Sequence, residues 1–149
     1  MGELDVNIDI SEKYVLPKVL VCANTIELGT SISEFVRKYK KGEELVVKQE
    51  DSFLILRKKD LTYASVNQKM LTLYTIEQKV EVKKSLKELM EELDADIFYP
   101  ISKSAIVNIK KIKRLEVAFS GNYYAYLTNG MKVVISRRFI EKLKNRFGI

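Results

Sequence analysis

Two stretches of the sequence place hydroxyl and cationic side chains directly after a short apolar run of β-like character. Their members, in chain order, are Ser102, Lys103, Ser104, Ser136, Arg137 and Arg138. Side chains held at the end of a rigid strand can donate hydrogen bonds to a surface that is rich in acceptors. Arg138 offers a planar fork of donors that suits the O6 and N7 atoms of guanine, although a helix-start arginine can also touch phosphate alone. Lys103 is a point charge between two short hydroxyls, which suits phosphate or base edges, or else it is an ordinary turn lysine.

Three further candidates lie outside these stretches. Asn67, Gln68 and Lys69 form a polar loop that either reads adenine through its amides or is an ordinary hairpin tip. Lys110 begins a basic run that either contacts phosphate or forms a solvated face. Asn108 follows an apolar strand, so we expect its amide to satisfy backbone groups of a turn rather than to touch a ligand.

The composition is that of an ordinary globular protein and excludes most catalytic chemistry. The 149 residues are 46% apolar and 31% charged, which suits one domain with a small appendage. Histidine is absent and no phosphate loop or dinucleotide motif occurs, so we expect no enzyme activity, no metal site and no cofactor. Cys22, the single cysteine, lies in an apolar run and is predicted to be buried rather than reactive. No apolar run could span a membrane and no secretory signal is present, which favours a cytoplasmic location.

The charge is distributed unevenly along the chain. Residues 1–42 hold six basic and six acidic groups, residues 43–98 hold nine and twelve, and residues 99–149 hold eleven and two. The last third therefore carries a net charge of +9 within a chain total of +6. Such asymmetry predicts a polyanionic partner.

Residues 1–42 are predicted to form a small βα segment. Residues 18–23 are nearly all apolar and suit a buried strand. Ser31 and Glu34 have capping-box spacing, which predicts a helix that ends near residues 40–42. One strand and one helix cannot close a core, so the segment must pack on the rest of the chain or on a second copy, and an apolar helical stripe is more often part of a core than a dimer surface. For its role we expect self-association or a regulatory contact.

From residue 43 onward the apolar period is two, which predicts a mostly β domain with a few helices over 43–149. The predicted strands are residues 45–48, 53–58, 62–66, 70–75, 78–82, 97–101, 106–107, 114–119, 123–128 and 132–135. A helix capped by Ser85 and Glu88 should seal an open side of the sheet, and residues 137–147 should form the last helix. Asn129 and Gly130 predict a hairpin with a two-residue type I′ turn.

Two other functions can be read from the surface pattern. Tyr123, Tyr124 and Tyr126 could stack bases on a β platform, as in a protein that binds RNA or single strands. Alternation, however, puts Tyr123 on the opposite face, which favours packing. The last helix is basic and amphipathic, and it could lie on a membrane if Phe139, Leu143 and Phe147 were exposed.

The order of several motifs resembles the LytTR family of bacterial DNA-binding domains. The motifs are residues 98–108 with their Ser-Lys-Ser and Ala-Ile-Val-Asn elements, Ile112, Gly121, residues 127–130 and residues 135–139. The strand pair that leads into the helix at Ser85 follows the family's order as well. The likeness covers roughly residues 44–147.

The resemblance implies an elongated, ten-stranded type of domain that reads double-stranded DNA with loops in two successive major grooves and contacts the minor groove between them, commonly on paired direct repeats. We expect the protein to act as a homodimer or as two copies on such repeats. By position, Lys69, Lys103 and Arg138 correspond to the family's base-contacting residues. Residues 1–42 are too few for a phospho-accepting receiver domain, so the plan is that of a stand-alone LytTR regulator. For such members the resemblance also allows a regulatory partner in the membrane, which no residue here shows, and it implies no small-molecule substrate.

Overall fold

A computed structural model describes residues 4–14, 18–39 and 42–149. The chain divides into two compact units, Met1–Lys40 and Lys41–Ile149. The second unit carries all ten strands that the described residues form.

Within residues 4–14 and 18–39, the first unit contains one helix, α1, at Ile26–Tyr39. It begins before the predicted start because the hydroxyl of Thr25 accepts a hydrogen bond from the backbone N–H of Leu28 at 3.2 Å, which caps the helix there. The strand predicted at residues 18–23 is wrong, and so is the burial of Cys22, whose side chain is exposed. A strand needs a neighbour to bond its backbone, and the described part of this unit offers none. Residues 40 and 41, at the predicted helix end, lie outside the described residues.

The second unit is mostly β, as predicted. Its strands are β1 Glu44–Lys48, β2 Phe53–Arg57, β3 Tyr63–Asn67, β4 Met70–Tyr74, β5 Lys79–Val82, β6 Phe98–Ser102, β7 Ala105–Asn108, β8 Ile112–Val117, β9 Tyr123–Leu127 and β10 Lys132–Ile135. They form a two-stranded sheet β1-β2, a five-stranded sheet β5-β4-β3-β7-β6 and a three-stranded sheet β10-β9-β8. All strand pairs are antiparallel.

One core lies between the five-stranded sheet, the β1-β2 hairpin and α2, the helix Leu86–Glu92. The hydroxyl of Ser85 accepts a hydrogen bond from Glu88 N at 3.1 Å, so the predicted cap is confirmed. Leu89 and Leu93 are fully buried in this core. The helix therefore covers one face of the sheet, as its apolar spacing predicts.

A second core lies between β6 and β7, the three-stranded sheet and α3, the helix Ile140–Phe147. Along β7, Ile106 belongs to the first core, whereas Ala105 and Val107 belong to the second. This strand is packed on both faces, which explains why all four of its residues are buried. Ile140 and Leu143 are buried against the same core, so the apolar side of α3 is not free to lie on a membrane.

The two-residue type I′ turn predicted for the β9-β10 hairpin occurs instead in the β3-β4 hairpin. The β9-β10 hairpin is confirmed, but its two-residue turn is wrong, because Leu127 N donates to Met131 O at 2.9 Å across a three-residue loop. Only Gly130 there has a positive φ, +87°, and Asn129 instead accepts from Met131 N through its side chain. The β3-β4 hairpin has the two-residue turn, with φ of 49° at Gln68 and 65° at Lys69, the pattern of type I′.

Candidate nucleic-acid interface

The fold brings three polar loops to one end of the second unit. Val66 N, near the end of β3, donates to Ser104 O at 2.8 Å, which ties the β3-β4 turn to the β6-β7 turn. Ser136 N, after β10, donates to Ile101 O at 2.8 Å, which ties the start of the last turn to β6. Nine of the ten predicted contact residues lie in these three loops, although they are far apart in sequence.

The first loop is the tip of the β3-β4 hairpin. Asn67, Gln68 and Lys69 are exposed. Neither central residue of the turn is a glycine, although both adopt a positive φ. A positive φ raises the conformational energy of a residue that carries a side chain. In this turn it projects the amide of Gln68 and the ammonium group of Lys69 from the tip of a rigid hairpin.

The second loop is the β6-β7 turn. Ser102 Oγ accepts from Ser104 N at 3.2 Å and lies 3.4 Å from Ser104 Oγ, so the two hydroxyls hold the turn in shape. The strand register shifts between Pro100 and Ser102, which marks a bulge. Lys103 is exposed at the apex, and no carboxylate occupies the turn to neutralise it.

The third loop follows β10 and precedes α3. Arg137 and Arg138 are exposed in a turn, not in the helix that was predicted to include them. The side-chain carbonyl of Asn122 accepts from Arg137 N at 3.0 Å. The adjacent Gly121 has a φ of +79°, a backbone conformation that favours glycine, and a Cβ there would make only an ordinary van der Waals contact, at 3.6 Å, with Arg137 Cβ.

The sequence interpretation missed Asn122 as a positioning residue. Its amide fixes the backbone from which Arg137 and Arg138 project, across fifteen residues of sequence. The adjacent Gly121 enters the sequence interpretation only as a motif residue. A glycine followed by an amide between two strands was the available signal.

Lys110 is the one predicted residue that the fold sets apart. It lies in the short 3₁₀ helix Ile109–Lys111 beyond the other end of β7 from the Ser102–Ser104 turn. The role predicted for Asn108 is confirmed: the side chain is 1% exposed, donates to Leu61 O at 2.9 Å and accepts from Lys110 N at 2.9 Å. Asn108 thus fixes the backbone at this far end.

A groove of about 570 Å³ runs beside the second and third loops. Its walls include Tyr63 and Tyr74, whose ring centroids are 5.5 Å apart, and the hydroxyl-bearing residues Ser65, Ser102 and Ser136. Burial raises the pKa of the Tyr63 phenol above its usual value, against a smaller opposing effect of its hydrogen bond with Ser65. No carboxylate lines the groove, so its surface is suited to neutral or anionic groups.

The tyrosines of β9 are already in contact with cations. Tyr124 and Tyr126 lie on the outer face of the three-stranded sheet, and Lys132 Nζ lies 3.9 Å from the Tyr124 ring centroid. The Arg114 guanidinium lies 5.4 Å from the Tyr126 ring. Tyr123 packs against the second core, so the predicted division between faces is confirmed and the three rings do not form one stacking platform.

Within residues 4–14, 18–39 and 42–149, no helix combines the length and apolar character that crossing a bilayer requires. The same residues contain no cluster of three or more cysteine, aspartate and glutamate side chains that could hold a metal ion.

The architecture matches a known class of β domain. A solved LytTr DNA-binding domain from Bacillus cereus superposes with a TM-score of 0.65 over 72% of this chain and 99% of that domain, at 21% sequence identity. At the level of sequence, the LytTr DNA-binding domain family matches residues 51–148. The chain belongs to this family.

Two curated relatives are similar to this chain in sequence. The sensory transduction protein LytT of Enterococcus faecalis is 27% identical over 124 residues, which are 83% of this chain and 51% of the relative. The transcriptional regulatory protein LytR of Staphylococcus aureus is 27% identical over 107 residues, 72% of this chain and 44% of the relative. The chain therefore spans about half the length of these relatives.

Proposed function

We propose that this protein is a transcription regulator that binds double-stranded DNA in a sequence-specific manner. Its three loops would enter successive major grooves, and two copies would occupy paired direct repeats. Membership of the LytTr DNA-binding domain family supports DNA binding. Sequence-specific readout by loops is supported by one observation: the Val66–Ser104 and Ser136–Ile101 hydrogen bonds bring the three polar loops together.

Each loop contributes one cation that can reach a base. Lys69, Lys103 and Arg138 are all exposed, and each projects from a turn held by backbone hydrogen bonds. A fixed backbone matters because side chains that are already in position lose less entropy on binding. Of the three, Arg138 can make the bidentate contact with guanine that gives the strongest discrimination between bases.

The neighbouring hydroxyls, amides and cations would contact phosphates. Ser102 and Ser104 flank Lys103, Asn67 and Gln68 precede Lys69, and Ser136 and Arg137 precede Arg138. Contacts of this kind set register on the duplex without reading sequence. Lys110 would act only as a distant phosphate contact, because it lies beyond the opposite end of β7.

The binding site can be identified by selection from a randomised duplex pool at low and moderate salt, with scrambled duplex and single-stranded oligonucleotides as competitors. We expect a pair of short direct repeats whose enrichment survives the higher salt. Sequence-blind binding that collapses with salt would contradict specific readout. Equal competition by single strands would instead favour a single-strand binding protein.

Arg138→Ala tests base readout directly. Loss of a bidentate guanine contact should weaken binding to the selected site by about 1–3 kcal/mol and relax preference at one position. Arg146→Ala, at an exposed position near the end of α3, removes the same charge away from the three loops and is the matched control. If Arg138→Ala lowered affinity for random DNA as much as for the selected site, Arg138 would be only a phosphate contact.

The first unit would serve regulation or self-association. The exposed apolar side chains that it carries support this role. Sedimentation of the full chain over a range of concentrations tests it, and a strict monomer at concentrations where both repeats are occupied would contradict it.

A further inference from the structure

The groove beside the DNA-binding loops is bounded on one side by an unpaired strand edge. Among the described strands, β10 pairs only with β9 in the three-stranded sheet. Leu127 N bonds to Met131 O, and hydrogen-bonding direction alternates along an antiparallel strand. Val133 and Ile135 therefore bond to β9, whereas Lys132 and Val134 direct their N–H and C=O groups into the groove.

The next residue confirms this direction. Ser136 continues the alternation, and its N–H does point away from β9, to Ile101 O at 2.8 Å. In the described residues, the outward backbone groups of Lys132 and Val134 have no such partner. An exposed edge of this kind is a template for a further strand.

The groove would give an added strand two different faces. Its inner side would lie over Tyr63 and Tyr74, the half-buried rings of the opposite wall. Its outer side would lie beside Lys132, which is exposed on the outer face of the sheet. The fitting occupant is a segment with apolar residues at every second position and acidic residues between them.

The chain itself contains such a segment. In residues 4–10, Leu4, Val6, Ile8 and Ile10 alternate with Asp5, Asn7 and Asp9. The four apolar side chains are 71 to 91% exposed, and the segment lies in no helix or strand. Asp9 contacts Lys13 at 3.6 Å, but both side chains are exposed, so that pair contributes little and can be exchanged.

We propose that residues 4–10 of one copy add as a fourth strand to the free edge of β10 in a second copy. Backbone hydrogen bonds to Lys132 and Val134 would supply affinity, and the alternation would supply specificity. The apolar side chains would cover Tyr63 and Tyr74, and the acidic side chains would approach Lys132. Reciprocal exchange between two copies closes the assembly as a symmetric dimer.

This arrangement has a regulatory consequence that rests on the proposed DNA binding. Ser102 and Ser104 of the second loop and Ser136 of the third loop line the same groove. A strand seated in the groove would therefore compete with a duplex, and the exchanged dimer would be the form that does not bind DNA.

Disulfide trapping between two differently tagged copies tests the contact without DNA. In a Cys22→Ser background, one copy carries Val134→Cys and the other carries a single cysteine at position 5, 6, 7, 8 or 9. Only side chains directly opposite each other on the same face of paired strands are within disulfide reach. We expect a covalent heterodimer mainly with the one of Asp5→Cys, Asn7→Cys and Asp9→Cys that lies opposite Val134→Cys, and none with Val6→Cys or Ile8→Cys.

The matched control moves the acceptor cysteine to Val117, which is exposed on β8 at the opposite edge of the same sheet. Trapping at all five positions, at none, or equally with Val117→Cys would overturn the proposal. So would a disulfide that forms only within one chain carrying both cysteines. Because no DNA is present, a negative trapping result would not bear on the proposed DNA binding. A failure to bind DNA would likewise not change the interpretation of the trapping result.

Two variants of β10 give an independent measurement. Val134→Pro removes the outward N–H at a position where an edge strand tolerates proline, whereas Val134→Thr keeps it. Sedimentation velocity should show a dimer dissociation constant up to about a hundredfold larger for Val134→Pro than for Val134→Thr, because the symmetric dimer loses one hydrogen bond at each of its two β10 edges. Equal constants in two variants that both retain the native circular dichroism spectrum would contradict strand addition at this edge.

Discussion

Asn108 offers the sharpest test of how the far end of the domain is held. Asn108→Ala removes a donor from the Leu61 carbonyl and an acceptor from Lys110 N. Leaving the buried Leu61 carbonyl without this hydrogen-bond donor costs about 1–3 kcal/mol. Loss of the cap on the 3₁₀ helix Ile109–Lys111 adds about 0.5–2 kcal/mol. We expect the free energy of unfolding to fall by about 2–4 kcal/mol.

Urea unfolding measures this change. The chain has eight tyrosines and no tryptophan, so tyrosine fluorescence and circular dichroism at 222 nm are the suitable signals. A lower midpoint with an unchanged slope reports stability alone. Lys110→Ala is the control, because it keeps the backbone N–H that Asn108 binds and removes only an exposed side chain, with an expected change within about 0.5 kcal/mol.

A second substitution separates the two hydrogen bonds. Asn108→Asp keeps an acceptor for Lys110 N but puts a carboxylate oxygen opposite Leu61 O, where a donor is needed. It should be at least as destabilising as Asn108→Ala at neutral pH, and the difference from the wild type should shrink as acidification lets the carboxyl donate. A cost below about 0.5 kcal/mol for Asn108→Ala, or a loss of specific DNA binding by a fully stable variant, would refute the structural role.

Three other substitutions test local features. Thr62→Val should raise the free energy of unfolding by about 1 kcal/mol, because the buried Thr62 Oγ1 has no hydrogen-bond partner among the described residues; a lower urea midpoint would contradict this. Lys69→Gly should raise the free energy of unfolding by about 1 kcal/mol, because glycine adopts the positive φ of 65° without strain. The same substitution should weaken DNA binding, and an unchanged affinity would show that Lys69 is not part of the interface. Burial raises the pKa of Tyr63 above about 10, so the stability it contributes is present below pH 10 and is lost as pH rises through the raised value. Tyr63→Phe should therefore lose less stability in alkaline urea titrations than the wild type, and parallel losses would refute the assignment.

The strands of the second unit were predictable because each has a strong local signal. Period-two alternation located all ten strands to within a few residues, and Ser85 with Glu88 located the start of α2. Local signals failed where structure depends on distant partners. The apolar run 18–23 lacks a neighbouring strand, and the two-residue type I′ geometry occurs at Gln68 and Lys69 instead of at Asn129 and Gly130.

The sequence by itself determined the family, the β character of residues 43–149 and the chemical types of the candidate contact residues, because these depend on side-chain identity and short spacing. Only the tertiary structure decided which residues meet. Two backbone hydrogen bonds, from Val66 to Ser104 and from Ser136 to Ile101, join loops that lie far apart along the chain. The direction of β7 sets Lys110 apart from them. The free edge of β10 likewise follows from strand order, since the bonding partner of a strand is chosen by packing across the whole sheet and not by the strand's own residues.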